Sequence, residues 1–283
     1  MTDRPTAETR WVCLAIAAIL LAAVVLLLGG PGDTDELFAW PITPEMTPLF
    51  MGSAYAAGFY LFARAFVTER WHRLAAAFPP IALFAALMLV ATLIHFDKFN
   101  QGDAAGIATA SFYAWTVVYI ASPFVVAGVW LRNRGRDDGS PEAVDAEVPA
   151  TVRRLALAGG VAAAAFAAVL YAFPSVAIDI WPWELTPLTA RVVASFTIEG
   201  AAIAIVLARD PRWSAWRILT QTVIVGAVLL LIALARGWDD LDHSNPLTWL
   251  LVAGSAATAA AAAALHRALE RRARTSTSVS SGA

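Results

Sequence analysis

Cysteine is nearly missing from these 283 residues: Cys13 is the only one, and it lies within an apolar run. An intrachain disulfide, a cysteine-rich zinc site and a cysteine-ligated iron–sulfur cluster are thereby excluded. Cys13 itself reads as a small buried hydrophobe. Lysine is as scarce, with Lys98 alone beside nineteen arginines. Charged residues make up 15% of the chain, well below the roughly one quarter of a soluble domain. The four histidines, His72, His95, His243 and His266, all fall at or beyond the ends of apolar runs. None is placed at mid-depth to ligate a haem inside a bundle. Nor is there a Gly-x4-Gly-Lys-Ser/Thr loop, a His-Glu-x-x-His, a Gly-x-Ser-x-Gly or a dinucleotide glycine fingerprint. No cofactor is expected. The arginines gather at the ends of apolar runs and form no basic domain, which argues against a nucleic-acid partner.

Apolar residues, by contrast, reach 59%. A helix needs about 20 mainly apolar residues to cross the hydrocarbon core. Eight stretches qualify: 11–30, 47–67, 73–95, 107–131, 152–173, 186–208, 214–236 and 247–267. The first is expected to be retained, because its apolar run is too long for a signal peptide and the following Gly-Gly-Pro-Gly-Asp lacks a small-x-small cleavage pattern. With the N-terminus inside, seventeen of the twenty basic residues face the cytoplasm. Only Lys98, Arg191 and Arg236 lie outside, among eleven acids from Asp33 to Asp242. By the positive-inside rule both termini are cytoplasmic. The Arg- and Ala-rich composition points to a GC-rich bacterium, and so to its plasma membrane. Trp11, Trp71, Trp130, Trp213 and Trp216 at inner ends, with Trp40, Trp181, Trp183, Trp238 and Trp249 at outer ends, read as interfacial belts. Trp115 lies deeper.

The chain also repeats itself. Trp40-Pro41-Ile42-Thr43-Pro44-Glu45-Met46-Thr47-Pro48-Leu49 recurs, two residues shorter, as Trp181-Pro182-Trp183-Glu184-Leu185-Thr186-Pro187-Leu188. Arg70-Trp71 then matches Arg212-Trp213, and Phe96-Asp97 matches Trp238-Asp239 at the same 27-residue spacing from Arg to Asp. Thr47-Pro48 and Thr186-Pro187 each supply a capping hydroxyl and a proline for the first helical position. The expected fold is therefore an all-α integral membrane protein of eight transmembrane helices, arranged as two parallel four-helix repeats about an axis along the membrane normal. Its parts are a cytoplasmic tail (1–10), repeat one (11–132), a cytoplasmic linker (133–151), repeat two (152–268) and a disordered tail (269–283).

Few residues carry chemistry. Arg191, Ser195 and Glu199 follow at i, i+4, i+8 and place a polar stripe on the sixth span. Glu199 sits about 15 Å from the inner end, near the midplane, where an ionisable group costs roughly 2.5–3.5 kcal/mol. The stripe must turn into the bundle. Gln221 and Thr222 are candidate donors to Glu199, while Arg191 is roughly 12 Å away along the axis. Such an acid suggests a proton or cation relay, the alternative being a hydrogen-bonded packing carboxyl. A second group lies at the outer mouth: His95 and Asp97 after span three, Asp239, Asp242 and His243 after span seven. These side chains suit a divalent cation or acid–base chemistry, although a solvated acidic loop explains them as well. Pro79-Pro80 and Pro123 are expected to kink spans three and four.

Three functions follow. The first is a transporter or permease for a cation or small molecule, with Glu199, Ser195 and Arg191 in its pathway, kinked helices, and an outer vestibule of Asp97, Asp239, His95 and His243 that concentrates cations. The second is an enzyme acting on a lipid or lipid-linked substrate with His95, Asp97, Asp239, Asp242 and His243. The third is an accessory subunit that binds a partner membrane protein or its own copies.

Overall fold

The computed structural model describes residues 3–101 and 106–280, with side chains up to residue 275. Among these residues the chain is helical, and one isolated antiparallel bridge (Glu147 with Arg212) is its only strand-like pairing. Eight long helices follow one another: α1 (Ala7–Gly29), α2 (Met46–Val67), α3 (Phe78–Ile94), α4 (Gly106–Asn133), α5 (Ala150–Ala172), α6 (Pro187–Leu207), α7 (Trp213–Arg236) and α8 (Pro246–Ser280). Seven are long and apolar enough to cross a membrane, α3 together with the short helical turn His72–Ala75 before it. The chain is a multi-pass membrane protein. The eighth, α2, has 22 residues but carries Ser53, Tyr55, Tyr60 and Arg64, which lower its apolarity. Half of its residues are buried against other helices, so it requires less apolar surface of its own.

The helices pack in two rows. In one, α1 touches α2, α2 touches α7 and α7 touches α8. In the other, α5 touches α6, α6 touches α3 and α3 touches α4. Each row takes two helices from each half of the chain. Exchanging α1–α4 for α5–α8 turns one row into the other.

Local chemistry explains the ends. Thr186 caps α6 through a capping box with Thr189, and Pro187 follows at the first position, as the sequence suggested. Thr47 does not cap α2. That helix starts at Met46, while Thr47 is fully buried and accepts a hydrogen bond from Trp183 Nε1 at 2.9 Å. Pro79 and Pro80 likewise begin α3 rather than kink it, because a missing N–H costs nothing in the first turn. Pro123 does lie inside α4.

Two further expectations need correction. Trp71 and Trp213 are fully buried, and Trp40, Trp183 and Trp216 nearly so, all packed in the protein core. Trp11, Trp238 and Trp249 remain exposed and suit the interface. Residues 269–275, assigned to a disordered tail, continue α8, since Leu269 and Ala273 are buried and Glu270 accepts from Trp213 Nε1 at 2.9 Å. The last residues, 281–283, lie outside the described residues. In the linker 133–151, Val148 N donates to Pro211 O and Ala146 O accepts from Trp213 N, tying it to the start of α7.

Candidate functional site

Between the two rows lies a cavity of about 790 Å³ to which all eight long helices contribute. Its walls are mainly carbon. Phe196 on α6 meets Tyr55 at 5.2 Å, Phe84 at 4.8 Å and Phe50 at 5.9 Å between ring centres, which builds an aromatic wall. Glu199 stands one turn further along the same face of α6 and lines the cavity. No described residue gives its carboxyl a hydrogen bond or an ion pair. Neither donor anticipated for it bonds to it. Gln221 Oε1 accepts from Tyr60 at 2.8 Å and Arg64 at 3.2 Å, and Thr222 donates to Ile218 O at 3.0 Å.

Two phenols complete the polar part. Tyr55 and Tyr119 share a hydroxyl–hydroxyl hydrogen bond of 2.8 Å in the cavity wall. One turn beyond Tyr119, the buried Ser122 hydroxyl lines the same cavity without a partner. Pro123 has no N–H to offer the Tyr119 carbonyl. The cavity thus holds one carboxyl, two phenols and a scatter of Ser and Thr hydroxyls against mainly apolar walls.

The stripe Arg191, Ser195, Glu199 divides into separate parts. Ser195 is fully buried and donates to Arg191 O at 2.7 Å, a bond within the helix. Arg191 Nη1 reaches His95 Nε2 at 2.7 Å and so pins the end of α3 to α6. Arginine is only a donor, so this contact takes the His95 ring in its neutral form. Burial, then the Arg191 charge, holds the imidazole below its ordinary range.

The outer acids do not converge. Asp97 is exposed and pairs with Lys98 at 2.9 Å. Asp239 is exposed, Asp242 accepts from Ser244 within its own loop, and the His243 ring rests on Trp238 at 4.7 Å. Asp240 does structural work by accepting from Met46 N at 2.8 Å. Among the described residues no three His, Cys, Asp or Glu side chains form a metal-sized group.

A cluster that the sequence reading missed lies at the opposite end. Asp3 Oδ1 accepts from His72 N at 3.1 Å, and its Oδ2 meets the ring Nδ1 at 2.5 Å. Asp145 does the same for Ser214, accepting from its N at 2.9 Å and from its hydroxyl at 2.6 Å. His72 and Ser214 follow the matched Arg-Trp pairs, and they meet: Nε2 lies 3.0 Å from Ser214 Oγ. The chain Asp3–His72–Ser214–Asp145 has the order of a hydrolytic triad. Ser214, however, is fully buried with its hydroxyl held by Asp145, so no substrate reaches it. Arg73 grips Glu142 through two bonds of 2.6 Å, and Arg212 clasps Asp137 and Asp210. The clue lay in the residue after each matched Arg-Trp.

No protein-family model, no curated protein and no solved structure matches this chain.

Proposed function

We propose that this protein is a transporter or permease-like protein of a bacterial plasma membrane, with eight spans in two duplicated halves and both termini in the cytoplasm. The observation that carries the reading is Glu199, an unpaired carboxyl in a large cavity bounded by helices of both halves. A structural subunit has no use for an acid whose burial costs several kcal/mol without a partner. A central binding site does.

The duplication is supported by contacts as well as by sequence. Asp3 on His72 and Asp145 on Ser214 are matching clasps before the first helix of each half. At the other end Asn100 Nδ2 donates to Phe38 O at 2.9 Å, and Asn245 Nδ2 to Ile180 O at 2.9 Å. Two such halves around a central site permit alternating access by rocking of one row against the other. The polar cluster of Asp3, His72, Ser214, Asp145 and Glu142 then closes the inner end.

The test is access. Thr222→Cys or Ser255→Cys, in a Cys13→Ser background, places a thiol in the cavity wall. Membrane-impermeant maleimides applied to right-side-out and inside-out vesicles should label it from both sides, in proportions that change between apo and substrate-loaded protein. Labelling from neither side, with the protein folded, would overturn transport.

A further inference from the structure

The cavity specifies what it takes. Resting on the transport reading for its setting, we infer that the central site binds a lipophilic organic monocation, a tertiary or quaternary ammonium or its phosphonium analogue, with the charged centre at Glu199 and the apolar groups against the aromatic wall.

The volume is the first ground. About 790 Å³ lies within the roughly 300–1,000 Å³ range of drug-sized sites and far above the space of a single dehydrated ion. A hard divalent cation would need about six to eight oxygen ligands within about 2.6 Å. The wall offers instead scattered hydroxyls on carbon and one carboxyl, Glu199 being the sole acid among the described residues that line the cavity.

Charge is the second. A buried carboxyl is tolerated as the neutral acid or as the partner of a cation. The arginines of α6 and α2 are already engaged, Arg191 with His95 and Arg64 with Tyr60 and Gln221. When Glu199 is ionised, the compensating charge comes with the ligand, and only one is needed. An anion is repelled.

The wall is the third. Phe84, Tyr55 and Phe50 each make ring contact with Phe196, one turn from Glu199. Aromatic faces attract cations within about 6 Å, most strongly when water is absent. A carboxyl among aromatic rings recognises a diffuse, poorly hydrated cation better than a compact, strongly hydrated one. The Tyr55–Tyr119 pair and Ser122 add hydroxyls for a ligand that carries an acceptor.

The probe is tetraphenylphosphonium, which has a fixed charge, beside tetraphenylmethane derivatives as uncharged shape controls. Binding is measured by equilibrium dialysis with purified full-length protein in detergent. Saturable binding to wild type is expected, about tenfold weaker in Glu199→Gln. Glu199→Asp should retain much of it, and Asp97→Asn all of it. Phe196→Ala should weaken binding while Glu199 is intact, and Phe196→Tyr should not. Equal binding of the uncharged control, or binding indifferent to Glu199→Gln in a folded protein, would overturn the inference and leave a site for neutral amphiphiles. The two readings fail separately. Glu199-dependent binding without two-sided labelling removes transport and keeps the ligand class; two-sided labelling without phosphonium binding does the reverse.

Discussion

Gly159 and Gly160 are neighbours on α5 with opposite surroundings. A Cβ on Gly160 would lie 2.9 Å from the Ala201 carbonyl oxygen of α6, and backbone cannot move aside as a side chain can. A Cβ on Gly159 meets nothing within 4 Å. Gly160→Ala should therefore destabilise by about 1–3 kcal/mol through overpacking. Gly159→Ala should be neutral or gain up to about 1 kcal/mol from helix propensity. Thermal unfolding of the two variants in detergent checks the pair, and equal effects would mean that α5 and α6 do not approach this closely. Trp183 offers a second case. Its Nε1 donates to the buried Thr47 across the halves, so Trp183→Phe should lose about 1–3 kcal/mol, the cost of orphaning a buried hydroxyl plus lost packing. At this scale the sequence shows identity but not surroundings. Trp183 and Trp249 look alike as outer tryptophans, yet one is buried and the other half exposed. Glu199 was legible because its depth follows from counting residues along one helix. Tyr119 and Ser122 were not, because hydroxyls are common in spans and only the cavity distinguishes theirs.

The linker 133–151 is the element that departs most from its composition. Its polar, Gly-Ser-Pro sequence reads as a linker, and the structure adds ion pairs to helices before and after it, Arg73–Glu142 and Arg212–Asp137. No local pattern announces partners about 70 residues away. The helices, whose apolar runs are local, were legible to within about five residues, save the end of α8, which runs on to Ser280. Acid tests the strap. The Arg212 hydrogen bond holds the Asp137 carboxyl below its usual range. Burial pushes Glu142 up, but the Arg73 hydrogen bond and charge outweigh it and the carboxyl ends lower than usual. Groups depressed in the folded state contribute stability above their unfolded value, about 4, and lose it as pH falls through the folded one. Protease cleavage within 137–145 should stay slow from pH 8 to 5 and accelerate below about pH 4, read with an acid-tolerant protease. Cleavage that is equally fast at neutral pH would show the strap to be unattached. Arg212→Ala should cost on the order of 2 kcal/mol, because it leaves two half-buried carboxylates facing each other. Arg4→Ala, whose partner Glu69 is as exposed as itself, should cost less than about 0.5 kcal/mol.

The whole molecule turns on whether α2 crosses the bilayer, since seven spans put the termini on opposite sides and eight on the same side. Its 22 residues rise about 33 Å, enough for a hydrocarbon core of about 30 Å. Apolarity is the weak point, yet the polar groups of α2 are satisfied within the protein. Ser53 donates to Leu49 O and Leu229 O, Tyr55 bonds Tyr119, and Tyr60 and Arg64 share Gln221. Polar groups that find partners inside a bundle are what lipid tolerates. Exchange of the halves pairs α2 with α6, which is itself apolar enough to span, and each lies second in its row of packed helices. A chain in which α6 crosses and α2 does not would break that equivalence. Eight crossings are therefore expected. A reporter active only in the cytoplasm should work when fused after residue 283 and when inserted at 138–140. One active only outside should work near His243. A C-terminal reporter active outside would mean seven crossings, antiparallel halves and no common inner closure, and the arrangement around Glu199 would have to be rebuilt.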